Sequence, residues 1–194
     1  AELTPHKRVA VPFERLSYRD ALDRYGSDKP DLRFAMELHD LSAIAGGANF
    51  QVFQRALSEG GVVKGLAAPG CAAYSRRQID ELTEFAKMQG AQGLVTVALM
   101  GEGSLDDLTE DQIKSPASRF LTIEEVRALA KELGAEVGDL LMIVAGLPST
   151  TNHVLGALRL ELGRQLNFLD QDVLAFTFVV DFPLLEWNDG EHRW

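Results

Sequence analysis

Apolar residues recur three or four positions apart in several stretches of this 194-residue chain, and that spacing predicts helices. Each predicted helix starts at a residue whose side chain can cap the first turn, and two starts carry Gln or Glu three residues later. In the longest helix, Arg159 and Arg164 are expected away from the centre of the apolar stripe. The predicted starts are Ser17, Ser75, Thr122 and Ser149 or Thr150, and the predicted ends are Gly26, Gly90, Gly134 and about Leu166.

Alternating or continuous apolar runs predict strands between these helices. Phe34–Asp40 alternates apolar and polar residues, as a half-buried strand does. Phe50–Leu57 and Val62–Ala68 flank a pair of glycines, which predicts an antiparallel hairpin. Phe176–Phe182 is the most continuous apolar run, so we expect a central strand buried on both faces. The remaining predicted strands are Gly93–Met100 and Asp139–Ala145.

The order of these elements predicts the fold class. The middle of the chain reads β-β-β-α-β-α-β, which is typical of an α+β fold rather than of a βαβ nucleotide-binding fold. We expect a two-layer α/β sandwich, in which the helices cover one face of a mixed sheet. Neither phosphate-binding glycine pattern, GxxxxGK[ST] or GxGxxG, occurs in the sequence, so a nucleotide site in the middle of the chain is not favoured.

Charge and composition narrow the function classes further. The chain has a formal net charge of −10, divided as +1 in residues 1–33, −7 in residues 34–146 and −4 in residues 147–194. A free-standing nucleic-acid-binding protein usually carries a basic surplus, so only a local patch could contact RNA. The single Cys71 excludes an internal disulfide, and with four scattered histidines it argues against a zinc site.

The same composition gives an expectation for location. No apolar run approaches the ~20 residues of a membrane helix, and the N-terminus lacks a signal-peptide pattern. One cysteine is compatible with a reducing compartment, so we expect a cytoplasmic protein that does not contact a membrane. The chain starts without an initiator Met, which predicts a piece of a longer protein.

The densest group of candidate functional residues lies in Tyr25–Phe34, a run of turn formers and opposed charges. Asp28 and Asp31 flank Lys29, and Arg33 follows. One interpretation is a charged rim that faces an anionic ligand, because Lys and Arg present donors to phosphate or carboxylate. The other is a turn held by local side-chain hydrogen bonds and ion pairs. The spacing leaves both open.

Two further groups carry a functional and a structural interpretation. Asp181 lies in the apolar run near the C-terminus, where it either anchors a basic side chain of a site or marks the half-solvated end of the strand. Lys64, Arg76 and Arg77 flank the start of the helix after Ser75 and either form a small basic face for tRNA or an ordinary solvated surface.

Six stretches carry motifs of one family: Tyr25–Phe34 (YGSDKPDLRF), Ser75–Phe85 (SRRQIDELTEF), Gly90–Leu94 (GAQGL), Ser115–Leu121 (SPASRFL), Gly156–Gly163 (GALRLELG) and Val179–Trp187 (VVDFPLLEW). Together they resemble bacterial-type aspartyl-tRNA synthetases, and the resemblance spans nearly the whole chain from about Phe13. In that family this region is the GAD insert, a two-layer α+β sandwich shared with one subunit of the tRNA-dependent amidotransferases. It interrupts the antiparallel catalytic domain of a class II enzyme.

The resemblance implies that the chain consists of three parts. Residues 34–146 would be the insert, and residues 1–33 and 147–194 would be flanks of the catalytic domain, with the Phe176–Phe182 run as a strand of its sheet. No position carries over as a catalytic residue, and no metal ligand is expected. Only weak candidates for the rim of the active site remain: Ser27, Asp28, Lys29, Arg33 and Asp181.

The resemblance also implies the chemistry of the full enzyme, which joins L-aspartate to ATP with Mg²⁺ and transfers the aspartate to tRNA. We expect that enzyme to be a homodimer, and we expect this chain to hold no cofactor and to be inactive alone. The insert would give structural support or contact the acceptor side of tRNA. A stand-alone RNA-binding or protein-interaction module is the alternative, and the choice between tRNA(Asp) alone and tRNA(Asp) with tRNA(Asn) stays open.

Overall fold

The computed structural model describes residues 6–185. This part of the chain contains six helices, nine strands and three single 3-10 turns. The helices are α1 (Tyr18–Tyr25), α2 (Ser42–Ala45), α3 (Gln51–Ser58), α4 (Arg76–Met88), α5 (Ile123–Glu132) and α6 (Pro148–Gln165). The strands are β1 (Arg8–Val9), β2 (Glu14–Ser17), β3 (His39–Asp40), β4 (Val62–Ala68), β5 (Val95–Leu99), β6 (Ile113–Lys114), β7 (Leu140–Gly146), β8 (Val173–Leu174) and β9 (Thr177–Val180).

The central sheet has five strands in the order β3-β4-β7-β5-β6. Strand β7 lies in the middle, where Leu66 of β4 pairs with Met142, and Val97 of β5 pairs with Leu141. Every pairing in this sheet is antiparallel. The α+β class is confirmed, whereas the predicted mixture of parallel and antiparallel pairs is not what the sheet contains.

Helices cover both faces of this sheet, where the sequence predicted one covered face. Leu141 and Ile143 of β7 point into a core with α2, α3 and α5. The residues that alternate with them along β7 point into a second core with α4 and α6. Leu140, Met142 and Val144 are buried on that second side, each at most 2% exposed. A strand that is apolar at successive positions needs a cover on both faces, which explains the extra layer.

The helix starts with capping side chains are confirmed. Ser17 accepts a hydrogen bond from Asp20 N, and both predicted capping boxes, Ser75 with Gln78 and Thr122 with Glu125, are formed. Helix α6 differs, because it starts two or three residues earlier than a cap at Ser149 or Thr150 predicts. Leu147 is its N-cap and Pro148 occupies its first turn, where proline needs no N–H donor.

Two predicted strands are wrong. Phe50–Leu57 forms most of α3, and its apolar residues Phe50, Phe53 and Leu57 have the i, i+3, i+7 spacing of a helix rather than the alternation of a strand. In Phe34–Asp40 only the last two residues pair with β4, because the chain before them takes an irregular path in which Met36 has φ 65°. No hairpin therefore precedes β4 in the described structure.

The C-terminal apolar run is also different from its prediction. Strand β9 pairs in parallel with β2, and its flanking phenylalanines, Phe176 and Phe182, are 54% and 52% exposed. The expected strand buried on both faces is wrong for the described residues, because β9 has β2 as its paired neighbour and Phe178 is itself 53% exposed. Residues 186 and 187 of the VVDFPLLEW stretch lie outside the described residues.

Helix α6 is the element that connects the parts of the chain. Its apolar stripe packs on the second face of the sheet, in one core with Leu66 and Met142. The stripe consists of Val154, Leu155, Leu158 and Leu162. The boundary at residue 146 stays a prediction, but α6 shares a core with the sheet on the other side of that boundary. None of the helices within residues 6–185 has the length and apolar character needed to cross a membrane.

Candidate functional site

One side chain, Arg159 of α6, organises the Tyr25–Phe34 stretch. It is only 1% exposed, although the sequence pattern placed it off the buried stripe. Its Nε donates to the carbonyl of Met36 at 3.1 Å. Its Nη2 donates to the carbonyls of Asp31, Phe34 and Ala35 at 3.0, 2.7 and 2.9 Å. Four backbone acceptors of one irregular segment therefore converge on one guanidinium.

Aromatic rings and glycines complete this arrangement. The guanidinium carbon of Arg159 lies 4.1 Å from the ring centroid of Phe34 and 4.9 Å from that of Tyr25, within the range of cation–π attraction. A Cβ at Gly163 would lie 2.7 Å from the Phe34 ring, and one at Gly156 would lie 2.8 Å from the Tyr25 carbonyl. The two glycines let the segment approach α6 closely. We call Tyr25–Met36 with Arg159 the clamp.

Burial lowers the pKa of Arg159, while the nearby Tyr25, Asp31 and Glu37 act in the opposite direction. A guanidinium stays protonated in proteins, so the clamp holds a buried cation. Burial, followed by the carboxylate of Glu37, raises the pKa of Tyr25 to about 12. The cation and the neutral phenol therefore keep their charge states across the physiological pH range.

The charged residues of the stretch pair locally, as the turn interpretation predicted. Arg33 donates from Nε and Nη2 to the carboxylate of Asp31 at 2.6 to 3.2 Å. Hydrogen bonds from Arg33 lower the pKa of Asp31 against the opposing effect of burial. Lys29 contacts Asp28 at 3.1 and 3.2 Å, and its backbone N–H donates to Ser27 Oγ at 3.0 Å. The Lys29 side chain is 85% exposed, so its pair with Asp28 lies at the surface.

A second pair joins α1 to the segment before β3. Arg24 donates to both carboxylate oxygens of Glu37 at 2.7 Å, and the Tyr25 hydroxyl donates to the same group at 3.1 Å. Hydrogen bonding by Arg24 lowers the pKa of Glu37 although partial burial opposes it. This bidentate pair fixes the distance between the predicted flank and the predicted insert.

Lys64 is buried, so it does not form an exposed basic face with Arg76 and Arg77. Its side chain is 7% exposed, and its Nζ lies 2.8 Å from Asn152 Oδ1 and 3.1 Å from both the carbonyl and Oδ1 of Asp23. Partial burial acts to raise the pKa of Asp23, but the hydrogen bonds and charge of Lys64 outweigh it and lower the pKa. The predicted three-residue face is corrected to the two arginines at the start of α4.

Those two arginines lie on the surface. The side chains of Arg76 and Arg77 are 95% and 88% exposed, and each pairs with an acidic residue one turn later, Asp80 at 3.9 Å and Glu81 at 2.8 Å. Asp181, the remaining candidate, directly follows β9, is exposed and has φ 59°. That geometry agrees with the interpretation of Asp181 as the solvated end of a strand.

Comparison with known proteins decides the family. The model of the family described as GAD domain matches residues 53–155, from α3 into α6. This chain belongs to the GAD domain family. The matched region of the GAD domain contains Lys64, Arg76 and Arg77, whereas the Tyr25–Phe34 stretch precedes it and Arg159 follows it.

Curated relatives extend the likeness beyond the GAD domain. The chain is 50% identical over 186 residues to an aspartate–tRNA(Asp/Asn) ligase of Moorella thermoacetica, covering 96% of this chain and 30% of that protein. It is 44% identical over 195 residues to a protein of the same name from Dehalococcoides mccartyi, covering 100% of this chain and 33% of the relative. A third, from Symbiobacterium thermophilum, is 48% identical over 95% of this chain and 30% of its own length. The chain spans about a third of the length of these relatives.

Arg159 was not among the predicted site residues, although the sequence contains a signal for it. Gly156, Arg159 and Gly163 are spaced three and four residues apart, so they lie on one face of a helix. Two glycines on one helical face indicate that another segment approaches closely there. A long cation between two such glycines therefore points to a buried partner for its charge.

Proposed function

We propose that this chain is part of an aspartate–tRNA ligase that activates L-aspartate with ATP and transfers it to tRNA. The observation that carries the proposal is the identity of 44 to 50% to proteins of that name over nearly the whole chain. The geometry supports it, because two of the stretches that resemble the synthetase family, around Tyr25–Phe34 and Gly156–Gly163, interlock through Arg159.

The role of this region is structural support for the catalytic domain, and the region alone is inactive. Buried or half-buried charges tie the predicted flanks to the predicted insert: Arg24 with Glu37, Lys64 with Asp23 and Asn152, and Arg159 with the irregular segment. Ser27, Asp28, Lys29 and Arg33 then contribute to the rim of the active site of the complete enzyme. Asp181 is the least supported member of that rim.

The described residues, 6–185, do not supply a fitting set of ligands for ATP or Mg²⁺. In residues 6–185, His, Cys, Asp and Glu side chains do not gather in groups of three or more that could hold a metal ion. Arg33 is paired with Asp31, and Arg159 donates from Nε and Nη2 to backbone carbonyls. We propose that other parts of the enzyme bind ATP and Mg²⁺, and no step of the reaction is assigned to residues 6–185.

We also propose the location, oligomeric state and tRNA specificity of the complete enzyme. It is a cytoplasmic homodimer, and it charges both tRNA(Asp) and tRNA(Asn), since the names of the relatives include both tRNAs. The choice between one and two tRNAs is tested by aminoacylation of purified tRNA(Asp) and tRNA(Asn) with the complete enzyme. Charging of tRNA(Asp) alone would contradict that part of the proposal.

ATP–pyrophosphate exchange tests the main proposal. The longer protein that carries this chain is expected to exchange pyrophosphate with ATP only when L-aspartate is present, while residues 1–194 alone give no exchange. Exchange that depends on another amino acid would contradict the assigned substrate. Exchange by residues 1–194 alone would contradict the assigned role of this region.

A second candidate function is a tRNA contact through α4. Arg76 and Arg77 are exposed at the start of this helix, inside the GAD domain match. The net charge of −7 in residues 34–146 opposes RNA binding, so we expect weak and salt-sensitive binding that R76A/R77A abolishes. A gel-shift titration of tRNA at several salt concentrations measures it. Unchanged binding by the double variant would remove Arg76 and Arg77 from the interface.

A further inference from the structure

The segment between α1 and β3 forms neither helix nor strand in the described structure, yet its path is fixed by one side chain. The carbonyls of Asp31, Phe34, Ala35 and Met36 accept hydrogen bonds from Arg159. A segment without its own ladder of hydrogen bonds must satisfy its buried carbonyls elsewhere. Here a helix from the opposite end of the chain supplies those donors.

The backbone of this segment includes a conformation that a free chain rarely adopts. Met36 has φ 65°, in the left-handed region, and its side chain is 6% exposed. A non-glycine residue in this region persists only when the surrounding structure requires it, and such residues concentrate at functional positions. The Met36 carbonyl accepts from Arg159 Nε at 3.1 Å, so the same guanidinium holds the least favourable residue of the segment.

A buried cation is not the simplest way to fill this part of a core. An apolar side chain of similar volume could pack between Tyr25 and Phe34 without the cost of desolvating a charge. It could not satisfy four carbonyls, so it would not specify the path of the segment. The buried guanidinium of Arg159 therefore has a desolvation cost, but it fixes the backbone conformation of the segment.

The fixed path directs polar side chains outward. Lys29 is 85% exposed, and its backbone N–H is held by Ser27 Oγ at 3.0 Å. Asp28 accompanies Lys29 on the outside, while Arg33 turns back to Asp31 and to the carbonyl of Asp170 at 3.3 Å. The clamp therefore determines where the proposed rim residues stand relative to α1 and α6.

We propose that Arg159 is a positioning residue for aspartate activation: it holds the Ser27–Arg33 loop in the place that the reaction requires. This inference rests on the proposed function. Arg159 contacts no substrate and acts through the loop alone, so its loss displaces the rim without removing a reacting group.

The test compares three variants of the longer ligase that carries this chain, by aspartate-dependent ATP–pyrophosphate exchange well below their melting temperatures. R159K keeps the charge but not the planar set of donors, so it cannot serve four carbonyls. G163A keeps Arg159 and places a methyl group 2.7 Å from the Phe34 ring. Leu158→Ala is the matched control, since Leu158 is fully buried on the same helix and contacts the sheet core instead.

We expect kcat to fall about 100-fold in R159K, as displacement of a positioned group by ~1 Å can cause. The fall in G163A should be smaller, and kcat per folded enzyme should be unchanged in L158A despite its lower melting temperature. Equal losses in L158A and R159K would overturn the inference, because activity would then follow stability. Full activity of R159K and G163A would also overturn it. An inactive wild-type ligase would instead refute the proposed function.

Discussion

The clamp and the start of α4 both contain arginines, yet the two regions use them in opposite ways. Arg159 is 1% exposed and donates to four backbone carbonyls. Arg76 and Arg77 are 95% and 88% exposed, and each pairs with an acidic residue one turn along α4. In the clamp a buried arginine fixes the conformation of the backbone, whereas the arginines of α4 remain solvated.

This difference shows which cationic side chains contribute most to the free energy of unfolding. A buried guanidinium with satisfied donors leaves several polar groups unpaired when it is removed, so its loss is severe. An exposed pair gains little in high dielectric and is screened by salt. Lys64 falls between them, because its own side chain is 7% exposed while its partner Asp23 is 49% exposed.

The largest effect is expected at the clamp. R159M keeps a long side chain in the core but leaves the carbonyls of residues 31, 34, 35 and 36 without their donor. A buried carbonyl left without a partner costs about 1–3 kcal/mol and four are left, so the free energy of unfolding should fall by about 3–5 kcal/mol, measured by urea denaturation. R164M is the matched control on the same helix, where the side chain is 63% exposed. Equal losses in both variants would remove the distinction between the regions.

A smaller loss is expected for K64M. Lys64 Nζ contacts three oxygens, two of Asp23 and one of Asn152, and water can replace it at the half-exposed Asp23. We expect a loss of about 1–3 kcal/mol in thermal or urea unfolding. K131M, at an exposed pair with Asp106, is the control with a change near zero. A neutral K64M would show that the buried ammonium adds no stability.

The acid branch of the stability profile tests Asp31. Hydrogen bonds from Arg33 hold its pKa below the usual value near 3.9, so its contribution is complete above that value and is lost as pH falls through the lowered pKa. D31N should be less stable by about 1 kcal/mol at pH 6 and should lose less stability between pH 5 and 2. Urea unfolding over this range measures it. An acid branch identical to that of the wild type would contradict the pairing.

The smallest effect is expected at α4. R76A/R77A removes two exposed i,i+4 pairs and leaves the capping box of Ser75 and Gln78 in place. The free energy of unfolding should change by less than about 0.5 kcal/mol. A loss above about 1 kcal/mol in urea denaturation would show that the stability of α4 depends on these arginines. That result would contradict the distinction between exposed arginines and the buried Arg159.

The parts of the fold that follow from local chemistry could be predicted. Ser17, Ser75 and Thr122 cap the helices at which their hydroxyls were expected, because a cap and its partner lie within three residues. Strands β4, β5 and β7 were also expected, since their apolar runs are bounded by glycine or proline. For Ser27–Arg33 a local turn was one of the two interpretations that the spacing left open, and the function of these residues stays a proposal.

The rest depends on contacts between distant residues. Phe50–Leu57 is an exception, because Phe50, Phe53 and Leu57 recur at the i, i+3, i+7 spacing of a helix and the local pattern itself contradicts the predicted strand. The path of Phe34–Leu38 is set by Arg159, more than 120 residues away in sequence, and no local pattern contains that information. The same holds for Lys64, whose burial depends on Asp23 and Asn152. For β9, apolar composition did not reveal how many strands lie beside it.

NMR of arginine side chains in residues 1–194 tests the contrast between buried and exposed cations most directly. A guanidinium that donates to four carbonyls and is closed to solvent should give resolved Nη–H signals that exchange slowly with water. We predict such signals for Arg159, assigned by their loss in R159K, and one averaged, rapidly exchanging signal for Arg76 and Arg77. An Arg159 guanidinium signal that averages and exchanges like those of Arg76 and Arg77 would contradict the clamp.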